Sequence, residues 1–396
     1  MNEKRQLRLG VAGLGRAFTV MLPTLARDRR IKLVAAADPR PEARERFAAE
    51  FEARSYEDVE ALCADPDVEV VYVATPHQLH AAHVKSAAAH GKHILVEKPI
   101  AISLAESTEM IEAARAAGVH LIVGHSHSFN APILHCRKLI DSGAFGRVRM
   151  ITALNYTDFL YRPRRPEELD TAKGGGALFS QAPHQVDVVR LLGGGRAKAV
   201  RAQTGAWDPS RPTEGAFSAL LTFEDGVFAS LTYDGYGHFD SDEFQGWVGE
   251  MGQQKKAQGP RVLQRYDDPD VEAAAKNARN YGGSGYQPAS SAPPQHHQHF
   301  GLVLVSCERG ELRPTPDGVM VYQQGIGHLD ELPPPPVPRV EVIDELYEAV
   351  VNKRAPLHDG RWAMATLEVC LAMLRSARNG TDIALSHQTG LPRDRA

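Results

Sequence analysis

Short, almost wholly apolar runs alternate with helix-like stretches through the first third of the chain. The apolar runs are Leu7–Gly13, Lys32–Ala37, Val68–Ala74, His93–Glu97 and His120–Val123. Between them Phe18–Arg27, the alanine-rich stretch 41–53, Gln78–His90 and Leu104–Ala117 read as helices, the last stopped by Gly118. Strand and helix alternating at this pitch predict βαβ units and a parallel sheet with helices on both faces. A strand covered on both faces has no wet side, which is why each run is nearly uniform.

The pattern changes after about residue 145. Val148–Asn155, Ala197–Gln203, Ala216–Phe223 and Val227–Tyr233 read as longer strands with few helices between them. Glu224-Asp225-Gly226 joins two of these runs and predicts a hairpin. This half is expected to be an α+β domain with a large open, mainly antiparallel sheet. Residues 235–300 are rich in Gly, Gln, Ser and Pro and read as an insertion-like surface loop region, mobile or partly ordered. Residues 331–338 (ELPPPPVP) read as a stiff linker, and Val340–Asn352 and Ala363–Asn379 as a closing amphipathic pair. The expected division is one domain over 1–124 and a second over 125–396.

Charge changes this picture little. The 396 residues carry 45 basic and 49 acidic side chains, a net charge of -4. Nucleic-acid binding through a general basic surface is not expected. No apolar run reaches the roughly 18 residues of a membrane span, and the polar start Met1–Arg8 is not expected to act as a secretory signal. Cys63, Cys136, Cys307 and Cys370 lie far apart with no CxxC pair, which fits reduced thiols and a cytoplasmic setting. His296-His297-Gln298-His299 is a dense histidine run, but adjacent histidines on one short loop rarely face one point, so no metal is expected.

The first chemistry lies in the turn Gly13-Leu14-Gly15, which ends a strand and opens a helix. A tight turn there lets backbone N–H groups meet a pyrophosphate at a helix N-terminus, so Gly13, Gly15, Arg16 and Ala17 are dinucleotide-binding candidates in a Rossmann-type domain. Phe18 stands in place of the third glycine of that fingerprint. Asp38 closes the second strand, where a carboxylate accepts ribose hydroxyls and repels a 2′-phosphate, favouring NAD over NADP. Helix capping before Pro39 is the other use of Asp38. Arg40 is placed to stack on adenine or meet a phosphate.

Two further motifs carry a family likeness. Ala74-Thr75-Pro76-His77 with His80 follows one strand, and Glu97-Lys98-Pro99 closes another. With the glycine turn, and with Gly174-Gly175-Gly176 leading to Ser180-Gln181-Ala182-Pro183-His184-Gln185-Val186-Asp187, the chain resembles the Gfo/Idh/MocA oxidoreductases over essentially its whole length. The resemblance implies a Rossmann domain followed by an open antiparallel sheet. It also implies hydride transfer between a nicotinamide and a hydroxyl-bearing carbon. Lys98 and His184 are then the acid–base pair, and Thr75, Pro76, His77, His80, Glu97 and Lys98 line the cofactor. Both groups can be tuned toward neutrality to carry the hydroxyl proton. Glu97 is expected to hold Lys98 by charge or to cap the strand end.

One departure bears on substrate. Polyol-oxidising relatives carry an aspartate four residues before the histidine, where this chain has Ser180. Gln181 and Asp187 are the support expected for His184, Asp187 lying on the same helix face. The SQAPHQVD stretch and the run His125-Ser126-His127-Ser128-Phe129-Asn130 are similar to the branch acting on aromatic cis-dihydrodiols of the phthalate 4,5-dihydrodiol type. That likeness implies a carboxylated cyclic diol as substrate, with His127, Asn130, Gln181 and His184 around it. Arg162, Arg164 and Arg165 are either carboxylate grips or a solvated basic loop. A sugar or inositol dehydrogenase, a redox-assisted glycosidase and a non-catalytic dinucleotide sensor are the competing classes. Self-association as a homodimer or homotetramer through the second sheet is expected, since an open sheet face needs covering.

Overall fold

A computed structural model describes residues 5–124, 126–257, 259–288 and 292–391. The first four residues and His125, on which two of the readings above touch, lie outside the described residues. The chain divides into two compact units. One comprises Met1–His125, Asp268–Pro293 and Val337–Met364, the other Ser126–Asp267, Pro294–Pro336 and Ala365–Ala396.

The first unit opens with β1 (Leu7–Ala12), α1 (Arg16–Leu25), β2 (Ile31–Ala37), α2 (Pro41–Phe51), β3 (Arg54–Tyr56), α3 (Val59–Ala64) and β4 (Val70–Val73). It continues with α4 (His80–Ala89), β5 (His93–Val96), α5 (Leu104–Ala117) and β6 (Leu121–Val123). The six strands form one parallel sheet in the order β3-β2-β1-β4-β5-β6. β4 is buried throughout, as its uniform apolar run predicts. α5 ends where Gly118 takes the left-handed conformation (φ 67°). Strand order reverses between β1 and β4, and this opens a crevice at their carboxyl ends.

β3 and α3 have no counterpart in the sequence reading. β3 is a three-residue edge strand without an apolar run, so it leaves no periodic signal. The segment 337–364 completes this unit. Its helix Val340–Val350 buries Val342, Ile343, Leu346 and Ala349, and Val123 N–H donates to the His358 carbonyl at 2.9 Å beside the edge strand β6.

The expectation of a surface insertion over 235–300 is corrected here. After the helix Pro269–Ala278, Tyr281 is fully buried in the first unit. Its ring packs edge-on to Phe18 at 5.2 Å and lies 6.4 Å from Phe47. Its hydroxyl donates to Glu50 at 2.7 Å, and Arg46 lies over Tyr281 and Tyr286. A single aromatic anchor in a polar stretch does not register as a hydrophobic pattern.

The second unit holds α6 (Ala131–Asp141), β7 (Val148–Tyr156), α7 (Ala177–Ser180), α8 (Ala182–Leu192), β8 (Ala197–Gly205), β9 (Ala216–Phe223) and β10 (Phe228–Asp234). β11 (Leu302–Cys307), β12 (Gly310–Thr315), β13 (Gly318–Gln323), β14 (Ile326–Glu331) and the short β15 (Ile383–Ala384) follow. All nine strands share one sheet, ordered β14-β13-β12-β11-β7-β10-β9-β8-β15. Only β7 and β10 run parallel; the other pairs are antiparallel. The predicted hairpin joins β9 and β10, with Gly226 at φ 88°. β11 to β14 have no counterpart in the sequence reading: polar residues interrupt β12 and β14, while β11 and β13 hold apolar runs of four residues, Leu302–Val305 and Val319–Tyr322.

Along β9 Phe217, Ala219, Leu221 and Phe223 are buried while Ser218 and Leu220 face outward. Phe228 of β10 sits opposite Met150 of β7, and both are exposed with Leu220. No helix among the described residues is long and apolar enough to cross a membrane.

Candidate active site

The cofactor-binding candidates of the first unit surround the crevice between β1 and β4. Gly13 has φ 94°, and a Cβ there would lie 2.9 Å from the Ala74 carbonyl oxygen, so only glycine fits. Gly15 is the N-cap of α1, and the space where its Cβ would stand is open. α1 has no acidic residue in its first turn, where a helix start presents N–H groups and a partial positive charge. A pyrophosphate fits this cradle on all three counts. Arg16 is exposed and Ala17 half-buried at the same turn, whereas the Phe18 side chain turns into the aromatic core with Phe47 and Tyr281.

Asp38 is buried and tied to this turn. It accepts the Leu14 N–H at 2.8 Å and the Arg40 N–H and Nε at 2.9 Å each. Arg40 in turn donates to the carbonyls of Leu14 (2.8 Å) and Tyr281 (3.1 Å). The capping alternative for Asp38 is overturned. Arg40 is the N-cap of α2, without a side-chain cap, because the Asp38 carboxylate turns back to the glycine turn.

One imidazole lies between the two later motifs. His80 is fully buried, with Nε2 2.9 Å from the Thr75 carbonyl and Nδ1 3.0 Å from the Pro99 carbonyl. Burial pushes its pKa down to about 4. Thr75 Oγ1 meets His83 Nδ1 at 3.0 Å, and His77 packs 5.8 Å from the His80 ring. The peptide Lys98-Pro99 is cis. Glu97 pairs with a residue the sequence did not single out: Tyr72 of β4 donates to it at 2.5 Å. Burial raises the Glu97 carboxyl above its ordinary range. Lys98 itself is half-buried.

In the second unit the triple glycine leads into α7 and α8. A Cβ on Gly176 (φ 81°) would lie 2.3 Å from Thr213 Oγ1, so this turn is closed to other residues. Pro183 stands in the first turn of α8, which is buried along its whole length, and Gln181 is its N-cap. His184 and Gln181 are both buried. Asp187 is tied into a polar cluster: Ser126 and Ser128 donate to its Oδ2, and Thr366 donates to Oδ1 at 2.9 Å. Arg190 Nη1 lies 3.9 Å from Asp187 and donates to Thr366 at 2.7 Å.

His127, His184 and Phe300 form a ring cluster, with centroids 4.8 Å (His127–His184), 4.9 Å (His184–Phe300) and 5.2 Å (His127–Phe300) apart. Tyr233 stacks parallel to Phe300 at 6.1 Å. Asn130 joins through His127 Nδ1 at 2.9 Å. Glu250 joins too, its Oε1 3.6 Å from His127 Nε2. Phe300, Tyr233 and Glu250 carry no motif, and Phe300 and Glu250 lie in the polar stretch 235–300. The three arginines separate. Arg164 is buried, its Nη2 donating to the Phe159 carbonyl at 2.6 Å, and Arg165 pairs with Glu167 and Glu168. Arg162 stays 44% exposed while pairing with Asp158 at 2.9 Å. The histidine run splits as well: His296 meets Asp317, His297 the Pro333 carbonyl and His299 the Val248 carbonyl.

Residues 7–125 match the family described as an oxidoreductase family with an NAD-binding Rossmann fold, and residues 133–245 match the GFO/IDH/MocA C-terminal domain. The 1-carboxy-3-chloro-3,4-dihydroxycyclohexa-1,5-diene dehydrogenase of Comamonas testosteroni is 48% identical over 378 residues, 94% of this chain and 95% of that protein. The chain belongs to the Gfo/Idh/MocA oxidoreductase family. A putative dehydrogenase from Bordetella bronchiseptica superposes with a TM-score of 0.87 at 41% identity, over 96% of this chain and all of that one. The WlbA dehydrogenase of Bordetella pertussis, solved with NADH and UDP-GlcNAcA, shares the fold at 22% identity and a TM-score of 0.71, over 98% and 99% of the two chains. Gfo/Idh/MocA membership makes the protein an NAD-binding oxidoreductase.

Proposed function

We propose that the protein oxidises one ring hydroxyl of an aromatic-acid cis-dihydrodiol, giving a ketone that enolises to the catechol. The observation that carries this reading is the near full-length likeness to a dehydrogenase named for a carboxylated dihydroxycyclohexadiene. The second unit supports it: an accessible guanidinium, Arg162, lies on the same unit as the aromatic walls Phe300 and Tyr233. NAD, when bound, would supply the hydride acceptor for the carbinol carbon, and the turn at Gly13 and Gly15 with Asp38 would hold it. Lys98 Nζ and the His184 imidazole are assigned the acid–base work, receiving the hydroxyl proton as the carbonyl forms. Asp38 is assigned to the ribose hydroxyls, and Arg162 to the ring carboxylate. Gln181 and Asp187 hold the start of α8 and thereby the His184 ring. Aromatisation makes the forward direction strongly favourable, so the site is asked mainly for orientation.

The exposed Phe228, Met150 and Leu220 support a homodimer or homotetramer built on the open sheet face. Four buried cysteines, none joined in a disulfide among the described residues, support a cytoplasmic setting.

A panel of carboxylated cis-dihydrodiols, inositols and aldoses with NAD tests the reading through the absorbance of the reduced cofactor. Dihydrodiols are expected to yield NADH and catechol. NADH from an inositol or aldose, with none from any dihydrodiol, would overturn it.

A further inference from the structure

The ring cluster around His184 holds a carboxylate from outside its own helix. Glu250 reaches it from the polar stretch between β10 and β11. Its Oε1 lies 3.6 Å from His127 Nε2, and the His127 ring lies 4.8 Å from that of His184.

Neighbouring hydrogen bonds fix the protons here. The Asn130 amide nitrogen donates one hydrogen to the Gln298 carbonyl at 2.8 Å, which settles the orientation of that amide. Its second hydrogen faces His127 Nδ1 at 2.9 Å. Nδ1 therefore accepts, and the neutral ring carries its proton on Nε2, the atom turned toward Glu250. Although burial works against the charge, the His127 contact and the Arg162 guanidinium hold the Glu250 carboxyl down at about 2. Glu250 is thus ionised under all ordinary conditions. Its side chain keeps 25% exposure, so acceptor capacity remains for a ligand.

An ionised carboxylate accepts hydrogen bonds and donates none. A vicinal diol offers two O–H donors, of which oxidation consumes one. We propose that Glu250 is a specificity-determining residue that accepts the hydroxyl of the diol that is not oxidised, while Arg162 takes the ring carboxylate. This assignment rests on the dihydrodiol reading and adds how the second hydroxyl is recognised.

The test compares the wild type with Glu250→Gln on two ring carboxylates, a saturated cis-diol and its single-hydroxyl counterpart, neither of which can aromatise. Glutamine preserves size and an acceptor toward His127. The expected result is a loss of about ten- to a hundred-fold in kcat/KM on the diol, carried mainly by KM. The single-hydroxyl compound should change by less than about three-fold, since it has no second O–H to lose. NADH affinity and melting temperature should stay constant, and Glu250→Asp should recover part of the loss. An equal loss on both compounds, or no loss on the diol, overturns the assignment while leaving the dihydrodiol reading intact. A wild type that oxidises neither these compounds nor any dihydrodiol overturns both.

Discussion

Two glycines two residues apart separate what the turn needs from what the dinucleotide needs. Gly13→Ala puts a Cβ against the Ala74 carbonyl at a positive φ and is expected to cost about 1–2 kcal/mol of stability. Gly15→Ala meets open space and should leave the melting temperature unchanged. It should nonetheless weaken NADH about ten-fold or more in a fluorescence titration, because the methyl fills the cradle. His80 predicts a pH effect. Its neutral form is favoured in the fold, so its contribution is complete above pH 6.5 and is lost as the pH falls through about 4. The full loss amounts to about 3 kcal/mol. The thermal midpoint should decline over that window, and His80→Gln should flatten the decline. Gly13, Lys98 and His184 were legible because each sits in a motif with fixed spacing. Glu250 and Tyr72 were not, since each acts through a partner distant in sequence.

At the level of elements, legibility followed burial on both sides. Five of the six strands of the first sheet could be placed because uniform apolar runs leave one interpretation. The edge strand β3 and the mixed strands β12 and β14 lack such runs, and their pairing is decided by neighbours rather than by local composition. The stretch after β10 shows the same limit from the other side. Its polar composition suggested a surface loop, yet Tyr281 closes the hollow between α1 and α2. Tyr281→Ala is expected to cost about 3–5 kcal/mol, as removal of a fully buried ring does. Tyr281→Phe keeps the ring and loses only the Glu50 bond, a change of about 1 kcal/mol. Chemical denaturation of the two variants measures the difference.

For the molecule as a whole, the exposed face of the nine-stranded sheet makes a prediction about assembly. Phe228→Glu with Leu220→Glu places two charges on that face, where the native residues are 42% and 46% exposed. Light scattering should report a smaller species for the double variant, with the melting temperature of each subunit little changed. Wild type eluting as a monomer at micromolar concentration would contradict the assembly. The two-unit division carries a different consequence, in the order of synthesis. Phe18 and Phe47 leave the ribosome early, while the ring that covers them is made long after the six-stranded sheet could have paired. A nascent chain halted between these points presents an open aromatic hollow, the kind of surface chaperones bind. Completion of the first unit therefore waits on residues translated after most of the second, first Tyr281 and then the helix Val340–Val350.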